Sequence, residues 1–212
     1  MSPAAADPLR WISPVTPDAT AEMAGLGLVE VRRLHQMRRA LPLPDELVAT
    51  TRTITTRPFR PGTDDDDWLR VNNRAFSWHP DQGGWDRARL AARLAEPWVA
   101  LDGFLVHDGA EGHLDGFCWT KVHPASEDDP AMGEIFVIAA DPSTHGTGLG
   151  RALTVAGLQH LVRLGLGVGM LYVEADNEPA VALYERLGFS VHHSDAAFAP
   201  AEPDPVAPPT DP

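Results

Sequence analysis

The chain has 212 residues and a formal net charge of −13, and 43% of its residues are hydrophobic. This composition can form a buried core, which excludes a wholly disordered chain, and its acidic balance argues against nucleic acid as a partner. No stretch reaches the roughly 18 consecutive apolar residues of a membrane span, so no membrane partner is expected. The N-terminus lacks a signal-peptide pattern and a single cysteine cannot form an internal disulfide, which together predict a cytoplasmic protein. We also expect a monomer.

Both ends of the chain differ in composition from the middle. Residues 1–20 are rich in Ala, Pro and Asp, and residues 199–212 contain six prolines, so we expect a flexible N-terminus and a disordered tail. Residues 28–37 predict a strand. Prolines punctuate residues 40–52, which predicts a linker.

The middle of the chain alternates strand and helix patterns. Strands are predicted at 53–59, 103–107, 114–123, 133–141, 169–174 and 189–193, and helices at 64–76, 85–96, 148–164 and 177–187. Strands and helices interleaved in this way indicate a mixed α/β sheet with helices on both faces. The four aspartates at 64–67 favour a helix N-terminus over a metal site.

A glycine-rich turn follows the strand at 133–141. Residues 141–151 read D-P-S-T-H-G-T-G-L-G-R and lead into an amphipathic helix. Alternating glycines let a ligand approach the backbone closely, and the helix N-terminus adds partial positive charge, which suits a pyrophosphate. The segment is neither a Walker loop nor a dinucleotide-binding G-x-G-x-x-G motif. An ordinary glycine-rich helix start is the alternative interpretation.

The order strand, H-G-T-G-L-G, helix, strand, N-E-P-A-V-A-L-Y-E-R-L-G-F resembles the GCN5-related N-acetyltransferase (GNAT) family. That family's phosphate loop reads Gln/Arg-x-x-Gly-x-Gly/Ala, and His145 departs from it at the first position. The resemblance implies an α/β (α+β) GNAT fold, with a central mixed, mostly antiparallel sheet flanked by helices. It also implies acetyl-CoA as cosubstrate and no metal. The implied acetyl-CoA contacts are Ile138, Ala139, Ala140, His145, Gly146, Thr147, Gly148, Leu149, Gly150, Arg151, Asn177, Glu178, Pro179, Ala180, Val181 and Ala182.

More specific blocks are similar to the mycothiol synthases within that family: VNNRAFSWHPDQGGW at 71–85, GFCWTKVHP at 116–124, GEIFVIAADP at 133–142 and LYVEADN at 171–177. This resemblance implies acetyl transfer to the cysteinyl amine of 1D-myo-inosityl 2-(L-cysteinylamino)-2-deoxy-α-D-glucopyranoside, a small-molecule thiol-sugar amine. Proteins of that family carry two tandem acetyltransferase domains. We therefore expect residues 53–198 to be the second domain, and residues 21–52 to be the closing piece of a preceding domain plus a linker.

Acetyl transfer to an amine needs a base for the amine and a proton for the leaving thiolate. Glu134 opens a strand on which alternation predicts two faces: Glu134, Phe136 and Ile138 against Ile135, Val137 and Ala139. Tyr184 lies on an apolar helix stripe, and a phenol with a pKa near 10 can protonate a thiolate. The resemblance implies Glu134 as the base and Tyr184 as the acid. A solvated strand end for Glu134 and core packing for Tyr184 are the alternatives.

The resemblance also implies four substrate contacts: Asp81, Lys121, Glu134 and Tyr172. Surface positions for Asp81 and Lys121, and a core position for Tyr172, are the alternatives. The histidines have no regular ligand spacing, so no metal site is expected. Cys118 stands between two aromatic residues and is predicted to be a small buried hydrophobe.

Two other functions stay open at this point. One is acetylation of another small amine or of a protein N-terminus. The other is a domain that binds acetyl-CoA without turnover, which the expected lack of a first domain favours and the presence of both Glu134 and Tyr184 opposes.

Overall fold

The computed structural model of the protein describes residues 9–79, 81–109 and 112–201. Its strands are β1 (Arg10–Ile12), β2 (Leu28–Ala40), β3 (Arg57–Pro58), β4 (Phe104–Asp108), β5 (Leu114–His123), β6 (Met132–Ala140), β7 (Val168–Glu174) and β8 (Ser190–Pro200). Its helices are α1 (Pro17–Gly25), α2 (Asp45–Ala49), α3 (Asp65–Ala75), α4 (Arg87–Leu94), α5 (Leu149–Arg163) and α6 (Glu178–Arg186). None of these helices is both long and apolar enough to cross a lipid bilayer.

The eight strands form one sheet in the order β1-β8-β2-β7-β6-β5-β4-β3. Neighbouring strands are antiparallel except β6 and β7, which run parallel. Helices α1, α2, α5 and α6 pack on one face, and α3 and α4 pack on the other. The predicted α+β fold, with a mixed and mostly antiparallel sheet flanked by helices, is confirmed.

Two apolar clusters bury both faces of the middle strands. On one face, Leu153 and Leu158 of α5 pack against Ile135 and Leu171. On the other face the core is aromatic, as in the stacked rings of Phe104 and Trp119, whose centroids are 4.1 Å apart. Helices cover both faces of β5 and β6. Polar side chains therefore meet at the ends of these strands or where the regular strand pairing is interrupted.

The N-terminal segment is more regular than its composition predicted. Strand β1 pairs with β8, and α1 starts at Pro17 after Thr16, whose hydroxyl accepts a hydrogen bond from the Ala19 N–H at 3.2 Å. The prediction of a flexible segment over residues 1–20 is therefore wrong for β1 and α1. Residues 1–8 lie outside the described chain. The Thr-Pro pair was the available signal for α1, whereas β1 depends on a partner strand that is remote in the sequence.

Strand β2 occupies the middle of the sheet between β7 and β8. It is longer than the predicted strand at 28–37, and the predicted linker at 40–52 contains α2. The sheet therefore crosses the predicted domain boundary at residue 53. The origin of residues 21–52 as the closing piece of a preceding domain stays a prediction.

Two predicted strands differ in length from the observed ones. The strand predicted at 53–59 shortens to β3 at the sheet edge, because Pro58 has no N–H to donate to a ladder. The last strand begins at Ser190 and extends to Pro200, into the predicted tail, because it pairs with β2 along most of its length. Residues 202–212 of that tail lie outside the described chain.

Candidate active site

Strands β6 and β7 diverge in the middle of the sheet. They pair only through residues 133–135 and 169–171, and from Phe136 onward β6 pairs with β5 alone. A cavity of about 280 Å³ opens at this divergence, with walls from β2, β6, β7, α6 and the loop after α3. We call this opening the β6–β7 gap. It is the place where a ligand reaches backbone groups of a central strand.

Tyr184 enters the gap from α6. It is 7% exposed, lines the cavity, and packs against Phe189 with ring centroids 5.9 Å apart. Burial, with a smaller contribution from the nearby Cys118 thiol, raises the pKa of Tyr184 well above its ordinary value. The phenol therefore keeps its proton at neutral and mildly basic pH, as a proton donor must.

Glu134 lies beside the cavity on β6, one residue before the cavity-lining Ile135. Its side chain is 9% exposed, and its Oε2 is 2.7 Å from Nε2 of His123 at the end of β5. Tyr184 belongs to the apolar cluster on the face of the sheet that α5 covers. Glu134 is the cross-strand neighbour of Lys121, and the Lys121 ammonium lies over the Trp98 and Phe136 rings on the face that α4 covers. The two predicted proton-transfer groups thus approach the gap from opposite faces of the sheet.

The predicted alternation along β6 is wrong beyond Phe136. The register with β5 shifts between the Trp119–Val137 and Thr120–Ile135 pairs, which leaves one extra residue on β6. Val137 then packs with Phe136 in the aromatic cluster, and Ile138 packs in the same cluster as Ile135. A bulge of this kind turns the following side chains to the other face, and regular alternation cannot reveal it.

The same strand offers backbone donors to the gap. The Asp141 N–H donates to the Asp115 carbonyl of β5 at 2.7 Å. Because backbone groups alternate between the two edges of a strand, the Ala139 N–H also faces β5, whereas those of Ile138 and Ala140 face the gap. Two of the three predicted backbone contacts are therefore available to a ligand, and Ala139 belongs to the ladder.

The glycine-rich turn enters α5 as predicted. Gly146 and Gly148 have φ angles of +77° and +80°, and a Cβ added at either one would meet no atom within 4 Å. Gly148 precedes the first residue of α5, and no side chain caps that helix end. The first N–H groups of α5 are therefore free to bind an anion. Asp141, which is 1% exposed, fixes the start of the turn through Arg70 at 2.6 Å.

Cationic side chains flank this turn. Arg52 donates to the Thr147 carbonyl at 3.4 Å, and Arg151 donates through Nε to the Thr51 hydroxyl at 3.0 Å. His145 is exposed at the entrance to the turn. Free amides, open space above two glycines and nearby guanidinium groups fit a diphosphate group. Sequence reasoning missed Arg52, because it lies in the predicted linker and meets the turn only in the folded chain.

Helix α6 directs its N-terminus at the same gap. The Asn177 side chain accepts a hydrogen bond from the Ala180 N–H at 3.3 Å, and both residues line the cavity. Ala180 and Val181 also pack against the core. Of the predicted contacts on α6, the structure brings Asn177 and Ala180 to the cavity, whereas Glu178, Pro179 and Ala182 complete the first turns without lining it.

The predicted substrate contacts separate into two groups. Asp81 and Tyr172 line the cavity. Lys121 does not, because its Nζ lies 4.9 Å from the Trp98 ring centroid and 5.6 Å from that of Phe136. Its position opposite Glu134 places it near the candidate base rather than in the cavity wall.

Sequence reasoning missed two side chains of β2 that hold the polar part of the wall: Arg32, which lines the cavity, and Gln36, which supports Tyr172. Arg32 donates through Nη1 to Asp81 Oδ2 at 2.6 Å and through Nε to Glu174 Oε1 at 2.7 Å. Gln36 donates to the Tyr172 hydroxyl at 2.8 Å. The period-two spacing of Arg32 and Gln36 was visible in the sequence, but their neighbours were not, since β2 lies far from β7 along the chain.

Titratable side chains make the part of the cavity wall around Arg32, Asp81 and Glu174 polar at neutral pH. His79 accepts the backbone N–H of Asp81 at its Nδ1, at 3.1 Å, and its Nε2 is 3.4 Å from Glu174 Oε1. Burial, reinforced by the Arg32 guanidinium, lowers the pKa of His79, so the ring is neutral and presents an Nε2–H. Burial and the nearby carboxylates of Asp195 and Glu134 raise the pKa of Tyr172.

Two further predictions concern metal binding and Cys118. Within residues 9–79, 81–109 and 112–201, no group of three or more His, Cys, Asp or Glu side chains could hold a metal ion. Cys118 is fully buried, and burial raises its pKa to about 12. The thiol is therefore protonated and inaccessible, in agreement with the predicted buried hydrophobe.

Comparison with known proteins gives relatives of this chain. The sequence model of the acetyltransferase (GNAT) family matches residues 66–189. The chain is 50% identical over 193 residues to a mycothiol acetyltransferase of Mycobacteroides abscessus, covering 90% of this chain and 64% of the relative. It is 44% identical over 191 residues to the mycothiol acetyltransferase of Segniliparus rotundus, covering 89% and 71%. The chain thus spans less than two thirds of the length of the M. abscessus relative.

Solved structures carry the same fold. A GCN5-related N-acetyltransferase from Sphaerobacter thermophilus superposes with a TM-score of 0.71 at 22% identity, over 90% of this chain and 58% of that one. The family model covers more than half of the chain, and its range includes the glycine-rich turn, strands β6 and β7 and Tyr184. This chain belongs to the acetyltransferase (GNAT) family.

Proposed function

We propose that this chain is an acetyl-CoA-dependent N-acetyltransferase that acetylates the cysteinyl amine of 1D-myo-inosityl 2-(L-cysteinylamino)-2-deoxy-α-D-glucopyranoside, the last step of mycothiol biosynthesis. The observation that carries the proposal is the β6–β7 gap, which places the buried phenol of Tyr184 in the cavity wall and Glu134 beside it. The relatives named mycothiol acetyltransferase support the choice of acceptor.

Binding of the acetyl donor falls to the turn before α5 and to the gap. The free N–H groups after Gly148 bind the diphosphate of coenzyme A. The Ile138 and Ala140 backbone groups face the gap, where they bind the pantetheine arm and the acetyl oxygen. Bound acetyl-CoA supplies the acetyl group as an activated thioester.

Two side chains divide the proton transfers. An α-amino group has a pKa of about 7.7–8.0, so much of the acceptor is protonated at neutral pH. Glu134 accepts that proton and leaves a neutral amine to attack the thioester carbonyl. Tyr184 donates its phenolic proton to the departing thiolate, and the proton that the attacking nitrogen loses on becoming an amide restores the phenol. Burial of Tyr184 favours this protonated form.

The polar wall suits an acceptor rich in hydroxyl groups. Asp81 and Glu174 offer carboxylate acceptors, Arg32 offers guanidinium donors and His79 offers an imidazole N–H. Hydroxyls both donate and accept, so they match a wall of mixed donors and acceptors better than an apolar amine does. We infer that this wall binds the sugar and inositol groups and positions the cysteinyl amine toward Glu134.

A thiol-release assay tests the proposal. Release of coenzyme A is measured with the cysteinyl glucosaminyl-inositol and, in parallel, with cysteine, glucosamine and a peptide N-terminus. We expect kcat/KM to be about 10²-fold or more higher for the glucosaminyl-inositol, because none of the three simple amines combines the cysteinyl amine with the sugar and inositol hydroxyls that contact the wall. Reactions without any amine measure background hydrolysis.

Each outcome has a distinct meaning. Equal rates with the simple amines would contradict the proposed acceptor, and the chain would still be an acetyltransferase. No release with any amine, while acetyl-CoA binding is intact by calorimetry, would contradict the enzymatic function.

A further inference from the structure

The contact between His123 and Glu134 joins a half-exposed imidazole to a buried carboxylate. The two side chains are 33% and 9% exposed, and Nε2 of His123 lies 2.7 Å from Oε2 of Glu134. His123 belongs to the G-F-C-W-T-K-V-H-P block, two residues after Lys121, so both side chains share the face that carries Glu134. Sequence reasoning gave this histidine no role, since the spacing of the histidines did not predict a metal site.

The direction of this hydrogen bond follows from the chemistry of the two groups. An ionised carboxylate only accepts hydrogen bonds, so Nε2 of His123 must carry the hydrogen. Oε2 is the one oxygen of Glu134 with a hydrogen-bond partner among the described residues. The imidazole therefore fixes one oxygen of the carboxylate and leaves Oε1 free.

We propose that His123 is a positioning residue for Glu134: its Nε2–H holds the carboxylate in one orientation, so that Oε1 accepts the ammonium proton of the acceptor. This inference rests on the proposed function of the site. A base that is held in one orientation needs no reorganisation when the proton is transferred. In the step itself, one acceptor N–H bond breaks, one O–H bond forms at Oε1, and the nitrogen lone pair is released to attack.

Several other charged or titratable groups surround the pair. Lys121 lies opposite Glu134 on β5, and Tyr172 lies on β7 within electrostatic reach of it. Met170 of β7 is the cross-strand neighbour of both Glu134 and Arg38 of β2. Arg38 forms an ion pair with Asp129. Arg93 of α4 lies over the Phe136 ring. Lys121 and Arg38 also carry positive charge near Glu134, so the variants must separate their effect from that of His123.

Variants at position 123 separate hydrogen bonding from bulk. His123→Gln keeps an N–H donor at a comparable distance, and His123→Leu removes it. We expect kcat at saturating acceptor to fall about threefold in the first and about 10–100-fold in the second, with acetyl-CoA affinity unchanged in both. The loss should fall on kcat and leave the acceptor KM nearly unchanged, because the hydrogen bond orients the base and does not bind the acceptor. His113→Leu, at a histidine whose side chain is 70% exposed, is the matched control and should match the unsubstituted chain.

A second measurement does not depend on turnover. The Nε2–H resonance of His123 is recorded by NMR in the unsubstituted chain and in Glu134→Gln, with His123→Gln used to assign the signal. A hydrogen bond donated to an ionised carboxylate is stronger than one donated to a neutral amide, so Glu134→Gln should move this resonance upfield. Should His123→Leu not fold, this comparison decides.

The outcomes distinguish this inference from the proposed function. An unchanged His123 Nε2–H resonance in Glu134→Gln, or a kcat in His123→Leu equal to that in His123→Gln, would overturn the positioning role. A shifted resonance in a chain that acetylates no amine would keep the His123–Glu134 interaction and contradict the proposed function instead.

Discussion

The two walls of the β6–β7 cavity differ in polarity and in origin. The wall formed by β6 and α6 carries the buried Tyr184, and its other lining residues are mostly apolar. The wall formed by β2, β7 and the loop after α3 carries the linked charges of Arg32, Asp81 and Glu174. The first wall suits an acyl donor whose leaving group needs a proton away from water, and the second suits a hydroxyl-rich acceptor. Substitutions on one side should therefore affect one substrate and leave the other unchanged.

Glu134 stands between the two walls, and its substitution should have the largest effect. Glu134→Gln keeps shape but cannot accept a proton, so turnover should fall by about 10²–10⁴-fold at neutral pH. The loss should be smaller at high pH, where more of the acceptor amine is already neutral. Steady-state kinetics across the pH range measure both effects, and full activity would remove Glu134 from the mechanism.

Tyr184→Phe removes the proton donor of the apolar wall. Turnover should fall by about 10²-fold, and raising the pH should not restore it, because the leaving thiolate still lacks its proton. The raised pKa of Tyr184 also predicts that the unsubstituted chain keeps this donor protonated well above neutral pH. Identical pH profiles for Tyr184→Phe and Glu134→Gln would refute the separate assignments.

Gly148→Val tests the donor side at the turn before α5. Its φ of +80° is strained for a β-branched residue, and the new side chain would occupy the open space above the turn. Acetyl-CoA affinity should fall about tenfold or more, which corresponds to about 1.4 kcal/mol, with little change in acceptor KM. Calorimetry with acetyl-CoA measures the first, and circular dichroism checks the fold. Unchanged affinity in a folded variant would remove the turn from the binding site.

Arg32→Met tests the acceptor side and should have the smallest of these effects. The guanidinium holds Asp81 and Glu174 in the polar wall, so its loss should raise acceptor KM about fivefold to tenfold, which corresponds to about 1–1.4 kcal/mol. Acetyl-CoA affinity should not change. Arg33→Met is the matched control, because Arg33 faces the opposite side of β2 and pairs with Glu30. Equal effects in the two variants would contradict a specific contact from Arg32.

Local patterns were sufficient for the elements that we propose to bind the acetyl donor. The strand before the glycine-rich turn, the turn itself and the helix after it are contiguous in the sequence, and α5 and α6 begin where the glycines and Asn177 indicated. Contiguous segments of this kind are specified by propensity and turn chemistry. The bulge on β6 was not predictable in this way, because it is defined by pairing with β5.

By itself, the sequence determined the alternation of strands and helices, the turn before α5, and Tyr184 and Glu134 as candidate acid and base. Only the tertiary structure decided that β2 lies between β7 and β8, and hence that Arg32 and Gln36 reach Asp81, Glu174 and Tyr172. It also decided that His123 faces Glu134. Sheet pairing joins segments more than a hundred residues apart, and neither hydrophobic period nor spacing along the chain records which strands become neighbours.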